Sequence, residues 1–143
     1  MRRSPIRSGN GSFNGHTDWY IDWRYQSSQT PYGCLIHGIQ TSVHVIHTLP
    51  ALSEHVTDQQ VIDVFTKFNT ALTKHEKNHG NNGLTAAREM DKAFNEIPAQ
   101  RSCRDLARII DSIGNSTVQK YIQADDEYDR TTGNGTTEGA VIY

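Results

Sequence analysis

The sequence predicts an α+β fold in which a small antiparallel sheet packs on one long helix and two further helices. Three observations predict it. Apolar and polar residues alternate in two early segments, apolar residues recur at the helical period from Val61 to Ile97, and they recur again in two stretches after Ser102. The 143 residues are enough for one domain with a real core, and 35% hydrophobic content with 8% aromatics fits a globular chain. A formal net charge of −2 supplies no basic field for nucleic acid or anionic lipid. No apolar run approaches membrane-spanning length, so neither nucleic acid nor a membrane is expected as a partner.

Residues 1–17 read as a flexible N-terminal lead. Met1-Arg2-Arg3 looks like the start of an export signal, yet Ser, Gly and Asn follow in place of an apolar stretch. Residues 18–143 are then the single domain. In its first part Trp19, Ile21 and Trp23 alternate with Tyr20, Asp22 and Arg24, the pattern of a half-buried strand. Ile39, Thr41, Val43 and Val45 alternate in the same way with Gln40, Ser42 and His44, and Pro31-Tyr32-Gly33 marks the turn between the two. Leu49-Pro50 ends the second strand.

The long helix opens near Thr57, where Thr57 and Gln60 have the spacing of a capping box and Asp58 suits the positive end of the helix dipole. Val61, Phe65, Phe68, Leu72, His75 and His79 form one continuous stripe. Gly80-Asn81-Asn82-Gly83 weakens helix propensity, but Ala86, Met90, Phe94 and Ile97 resume the stripe as far as Pro98, so one helix or two collinear ones both fit. Ser102 to Ile113 supplies a further amphipathic helix with Gly114 as its stop, and Thr117 to about Tyr128 a last one.

His75-Glu76-Lys77-Asn78-His79 spells HExxH. On a helix the two histidines share a face and can grip one zinc ion, while the adjoining glutamate can act as general base. The plain alternative is two ordinary histidines on an amphipathic helix. Without a metal, histidines on the inward face need two separate hydrogen-bond solutions, because an unpaired buried polar group costs about 1–3 kcal/mol. One zinc ion satisfies both. Lys77 and Asn78 are expected to face solvent.

A zinc site needs a third protein ligand. Glu89 lies ten residues beyond His79, about 15 Å along an unbroken helix and out of reach, with Glu96 farther still. Glu127-Tyr128-Asp129 stands at the end of a helix able to fold back over the motif, which makes Asp129 the candidate beside its other reading as a helix-end carboxylate. Cys34 and Cys103 allow either one disulfide or two separate buried thiols. If joined, they close a loop of about 70 residues and stabilise the fold by roughly 4 kcal/mol in the chain-entropy model.

Taken together, these residues resemble a bacterial family of predicted secreted zinc-dependent proteases, otherwise catalogued as a domain of unknown function. The similar features run from Trp19 to Ala140: Trp19-Tyr20-Ile21-Asp22-Trp23-Arg24-Tyr25, Cys34 ahead of a strand ending in Leu49-Pro50, the HExxH helix, Ser102-Cys103, and Tyr128 to Gly135 followed by Glu138-Gly139-Ala140. The resemblance implies a zincin-like α+β domain, a secreted or periplasmic location and a disulfide between Cys34 and Cys103. It also exposes one departure. The family tail reads Tyr-Asp-x-x-Thr-x-His-Gly, and here Asn134 stands where the histidine falls. If the family's third ligand is that histidine, this chain has lost it; if it is the aspartate, Asp129 preserves it.

The expected activity is zinc-dependent endopeptidase action on a protein or peptide substrate. Zn2+ is held by His75, His79 and Asp129, and Glu76 takes a proton from the attacking water. Tyr128 is either a donor to the developing oxyanion or a packed core tyrosine. The rival expectation is a degenerate zincin scaffold that binds a protein partner and cuts nothing. Asn134 favours that rival.

Overall fold

The strand and helix periodicities combine in a simple order. In the computed structural model, which describes residues 2–3 and 15–141, the elements are β1 (Arg2–Arg3), β2 (His16–Thr30), β3 (Gly33–Thr48), α1 (Gln59–Asn95), α2 (Cys103–Thr132) and a 3-10 turn, Thr136–Glu138. The sheet is in essence the antiparallel β2–β3 hairpin, to which two-residue β1 adds pairs at Ile21 and Tyr20. Thr30 pairs with Gly33 across the Pro31-Tyr32 turn, as that dipeptide predicts.

The alternating residues point as expected. Trp19 and Ile21 are fully buried, and their register partners Val45 and Val43 lie half-buried beside them. Both strands run further than their alternation suggested, and beyond Tyr25 the hairpin becomes largely exposed. Strand pairing needs only backbone groups, so it continues where the apolar face stops. Of the predicted lead, residues 4–14 lie outside the described residues, whereas His16 and Thr17 belong to β2 and Thr17 is fully buried.

α1 is capped by Asp58 and not by Thr57. The Asp58 carboxylate accepts from the backbone N–H groups of Gln60 and Val61, and a charged oxygen at the helix start gains from the dipole as well as from the bonds. The fully buried stripe begins at Phe68; Phe65 is half-buried against it, while Val61 is 45% exposed.

The helix continues unbroken through Gly80 and Gly83. A Cβ on Gly83 would stand 2.6 Å from Cγ of Trp19, and one on Gly80 3.0 Å from the His47 ring. These glycines therefore let the sheet approach the helix, which offsets a propensity loss of about 1 kcal/mol each. Gly114 behaves likewise: it is no stop, because a Cβ there would lie 2.4 Å from the Trp23 ring. Consequently one helix, α2, replaces the two expected after Ser102. Ser102 caps its start by accepting from the Asp105 N–H, and Gly133 ends it in the left-handed conformation.

Two apolar clusters result. The larger joins Trp19 and Ile21 to Met90 and Phe94 of α1 and to Leu106, Ile110 and Val118 of α2. The smaller contains Phe68, Leu72 and Ala140. A disulfide, Cys34–Cys103, ties the start of β3 to the start of α2, with Cα atoms 4.9 Å apart. No helix among the described residues is long and apolar enough to cross a membrane.

Candidate metal centre

Between the two apolar clusters α1 buries, apart from Gly80 and Gly83, three polar side chains: His75, Glu76 and His79, at 1%, 4% and 4% exposure. The short link from Asn95 to Cys103 returns α2 antiparallel along α1, so that Lys120 meets Glu89, Asp125 meets His79 and Asp129 meets His75. Residues four apart share a face of each helix. The histidine pair of α1 is thereby matched by the aspartate pair of α2.

The matching brings three ligand atoms to one point. Nε2 of His75 and Nε2 of His79 are 3.2 Å apart, and Oδ1 of Asp129 stands 2.8 Å from the first and 2.7 Å from the second. The three residues form a buried group that could bind a metal. Asn134 contributes differently: its backbone N–H donates to the Asp129 carbonyl at 2.8 Å, and its φ of 57° helps close the α2 terminus.

Each histidine also meets a carboxylate through its other nitrogen. Nδ1 of His75 lies 2.6 Å from Oε1 of Glu138, and Nδ1 of His79 lies 2.8 Å from Oδ1 of Asp125. Asp125 is held in turn by the Trp19 indole N–H at 2.7 Å and the Asn82 amide at 2.8 Å. A carboxylate accepts, so each Nδ1 carries a proton, and a ring in its neutral form turns its Nε2 lone pair toward Asp129. Three electron-rich atoms facing one another in a buried space call for positive charge. Protons are one source, and a metal ion is the other.

The proton affinities reflect the same demand. Burial opposes charge on His75, but its bonds to Asp129 and Glu138 outweigh burial and raise its pKa. In His79 burial is overcome by Asp125 and Asp129, and the imidazolium is pushed up to about 10. Burial would raise Asp129, yet the two histidines hold its carboxyl below the usual value. The donor set suits zinc, which takes imidazole nitrogen and carboxylate oxygen. In a tetrahedron of bonds of about 2.0–2.2 Å, ligand atoms stand about 3.3–3.6 Å apart; the Nε2 pair is at 3.2 Å, whereas Oδ1 of Asp129, at 2.8 and 2.7 Å, stands at hydrogen-bond distance from both nitrogens.

Glu76 lies beside the group. Burial raises its pKa, opposed by the Thr17 hydroxyl, which donates to Oε1 across 2.9 Å. Tyr128 stacks on His75, with centroids 4.5 Å apart, and packs edge-on against His79. Its hydroxyl donates to Oε2 of Glu138 at 2.6 Å and accepts from Asn78 at 2.8 Å. Asn78 is therefore half-buried and engaged, contrary to the expectation that it faces solvent; Lys77 is exposed. Burial, with the Glu138 charge, pushes the Tyr128 phenol up to about 12.

His75, Glu76, His79 and Asp129, all legible in the sequence, come together, while Cys34 and Cys103 stand apart as the disulfide. Sequence reasoning missed Thr17, His47, Asp125 and Glu138. For Asp125 a signal existed, since its spacing from Asp129 equals that between the histidines. Thr17, His47 and Glu138 sit in segments without helical period, and nothing in their spacing points to the motif.

Fold and site together define an α+β domain with a buried His-His-Asp group of metal-binding type. The chain belongs to the family described as bacterial protein of unknown function (DUF922), whose model matches residues 1–136. No curated protein and no solved structure matches the chain.

Proposed function

We propose that this chain is a zinc-dependent peptidase of zincin-like build, with His75, His79 and Asp129 as metal ligands and Glu76 as general base. One observation carries the reading: the Nε2 atoms of both motif histidines converge on one carboxylate oxygen while both Nδ1 atoms rest on carboxylates, directly beside a buried glutamate. Two nitrogens and one oxygen from the protein are a three-ligand set, the number found in catalytic zinc sites, whereas structural sites use four. When bound, zinc supplies Lewis acidity and lowers the pKa of its water from 15.7 toward about 7.

The remaining chemistry falls to the chain. Glu76, raised by burial, accepts the proton of the water that attacks the scissile carbonyl and returns it to the leaving amine. Asp125 and Glu138 hold the imidazole rings in the tautomer that presents Nε2. The substrate class is protein or peptide. The disulfide supports a secreted or periplasmic setting, because such bonds persist in oxidising compartments.

A second reading, a degenerate zincin scaffold that acts as a non-catalytic binding module with or without the ion, is favoured by one observation. All four residues are buried, Asp129 being the most exposed at 8%. Metal analysis and peptide hydrolysis separate the readings. About one zinc per chain, with hydrolysis abolished in Glu76→Gln at unchanged zinc content, is expected for the peptidase; a general base contributes about 10²–10⁴-fold. Zinc retained without hydrolysis of any peptide library supports the module. Absence of zinc after incubation with excess metal removes the peptidase.

A further inference from the structure

Thr17 is fully buried at the start of β2, directly opposite its register partner His47. Its Oγ1 stands 2.9 Å from Oε1 of Glu76, 3.0 Å from the Glu76 backbone carbonyl and 2.8 Å from Nδ1 of His47. One hydroxyl has one proton, and the carbonyl and the ionised carboxylate can only accept. Were that proton given to His47, Oγ1 would face two oxygens of Glu76 with lone pairs alone. The arrangement is satisfied in one direction: His47 donates through Nδ1–H to Thr17, and Thr17 donates to Glu76.

We propose that Thr17, set in place by His47, is a positioning residue that fixes the carboxylate of Glu76 for proton transfer. The proposal rests on the reading of Glu76 as general base. A base on a long side chain acts only when its oxygen is held within hydrogen-bond reach of the proton it takes, and displacement by about 1 Å can cost about 10²-fold. Oε1 is the oxygen that Thr17 engages, so the carboxylate keeps its second oxygen for the water. Helix α1 alone does not achieve this, because Glu76 has three free torsions; the hydroxyl comes from the sheet.

The test uses the full zinc-loaded chain and three variants. Thr17→Val keeps the shape and removes the hydroxyl, Thr17→Ser restores it, and His47→Ala removes the donor from a side chain that packs on Gly80 outside both apolar clusters. Zinc content should be unchanged in all three. Hydrolysis should fall about 10–100-fold in kcat for Thr17→Val with KM nearly constant, recover in Thr17→Ser, and fall to an intermediate value in His47→Ala. A Thr17→Val variant as active as the parent, or a Thr17→Ser variant no better than Thr17→Val, overturns the proposal.

A second readout does not need turnover and keeps this proposal separate from the peptidase reading. Nitrogen-15 spectra of the histidines should show Nδ1–H on His47 in the parent and in Thr17→Ser. The carboxyl carbon-13 resonance of Glu76, assigned by its absence in Glu76→Gln, should move in Thr17→Val and not in Thr17→Ser. If the parent cleaves nothing, the peptidase reading fails while these spectra still decide the contact. An Nε2–H tautomer at His47 in the parent, or a Glu76 resonance indifferent to Thr17→Val, overturns it.

Discussion

Trp19 and Asp125 join the core to the site: the indole N–H donates to Oδ2 across 2.7 Å, while the carboxylate's other oxygen meets Nδ1 of His79 at 2.8 Å. The ring that lies against Gly83 thus anchors a carboxylate that orients an imidazole. The packing of the sheet on α1 therefore bears on the setting of His79, because a shift of the sheet would tilt the indole that donates to its carboxylate partner.

The first prediction concerns these outer carboxylates. In Asp125→Asn and Glu138→Gln the Nδ1 protons lose charged acceptors, so zinc affinity should fall about 10–100-fold in each. Competition with a chelator of known affinity measures it. Affinities equal to the parent's in both variants would refute the role assigned to Asp125 and Glu138.

The second concerns pH, with chelator-treated protein. His79 is raised in the fold from 6.5 to about 10, so the stability it contributes is complete below about 6.5 and is lost as pH rises toward about 10. Asp129 is lowered, and its contribution is present above the ordinary carboxylate range and lost as pH falls below it. Tm should therefore decline on the alkaline side from about pH 7. With zinc this decline should largely vanish, because metal replaces the imidazole protons. Equal alkaline slopes with and without zinc would show that the ion does not compete with those protons.

The third concerns the glycine that proved not to be a helix stop. By propensity alone Gly114→Ala should stabilise α2 by about 1 kcal/mol. Its Cβ, however, would stand 2.4 Å from Trp23. Overpacking of this kind typically costs about 1–3 kcal/mol, so a lower denaturation midpoint is expected. A higher midpoint would mean that the Trp23 ring yields freely.

The sequence alone determined the strands, the long helix and the HExxH pair, because each rests on a period or spacing along one element; the candidacy of Asp129 rests on its place at the end of a helix able to fold back and on the family-like tail. Alternation fixes which face of a strand is apolar, and the four-residue step puts His75 and His79 on one side of α1 whatever surrounds them. Tertiary structure decided the rest. Gly80, Gly83 and Gly114 read as weak points until the side chains of His47, Trp19 and Trp23 occupy the space a Cβ would take, and so α2 is one helix. Thr17 read as part of a flexible lead, since only its contact with Glu76, fifty-nine residues away, shows its place. The same holds for Asp125 on His79 and Glu138 on His75. A hydrogen bond between distant segments leaves no period in either one, because its geometry exists only when helix, hairpin and tail are brought together.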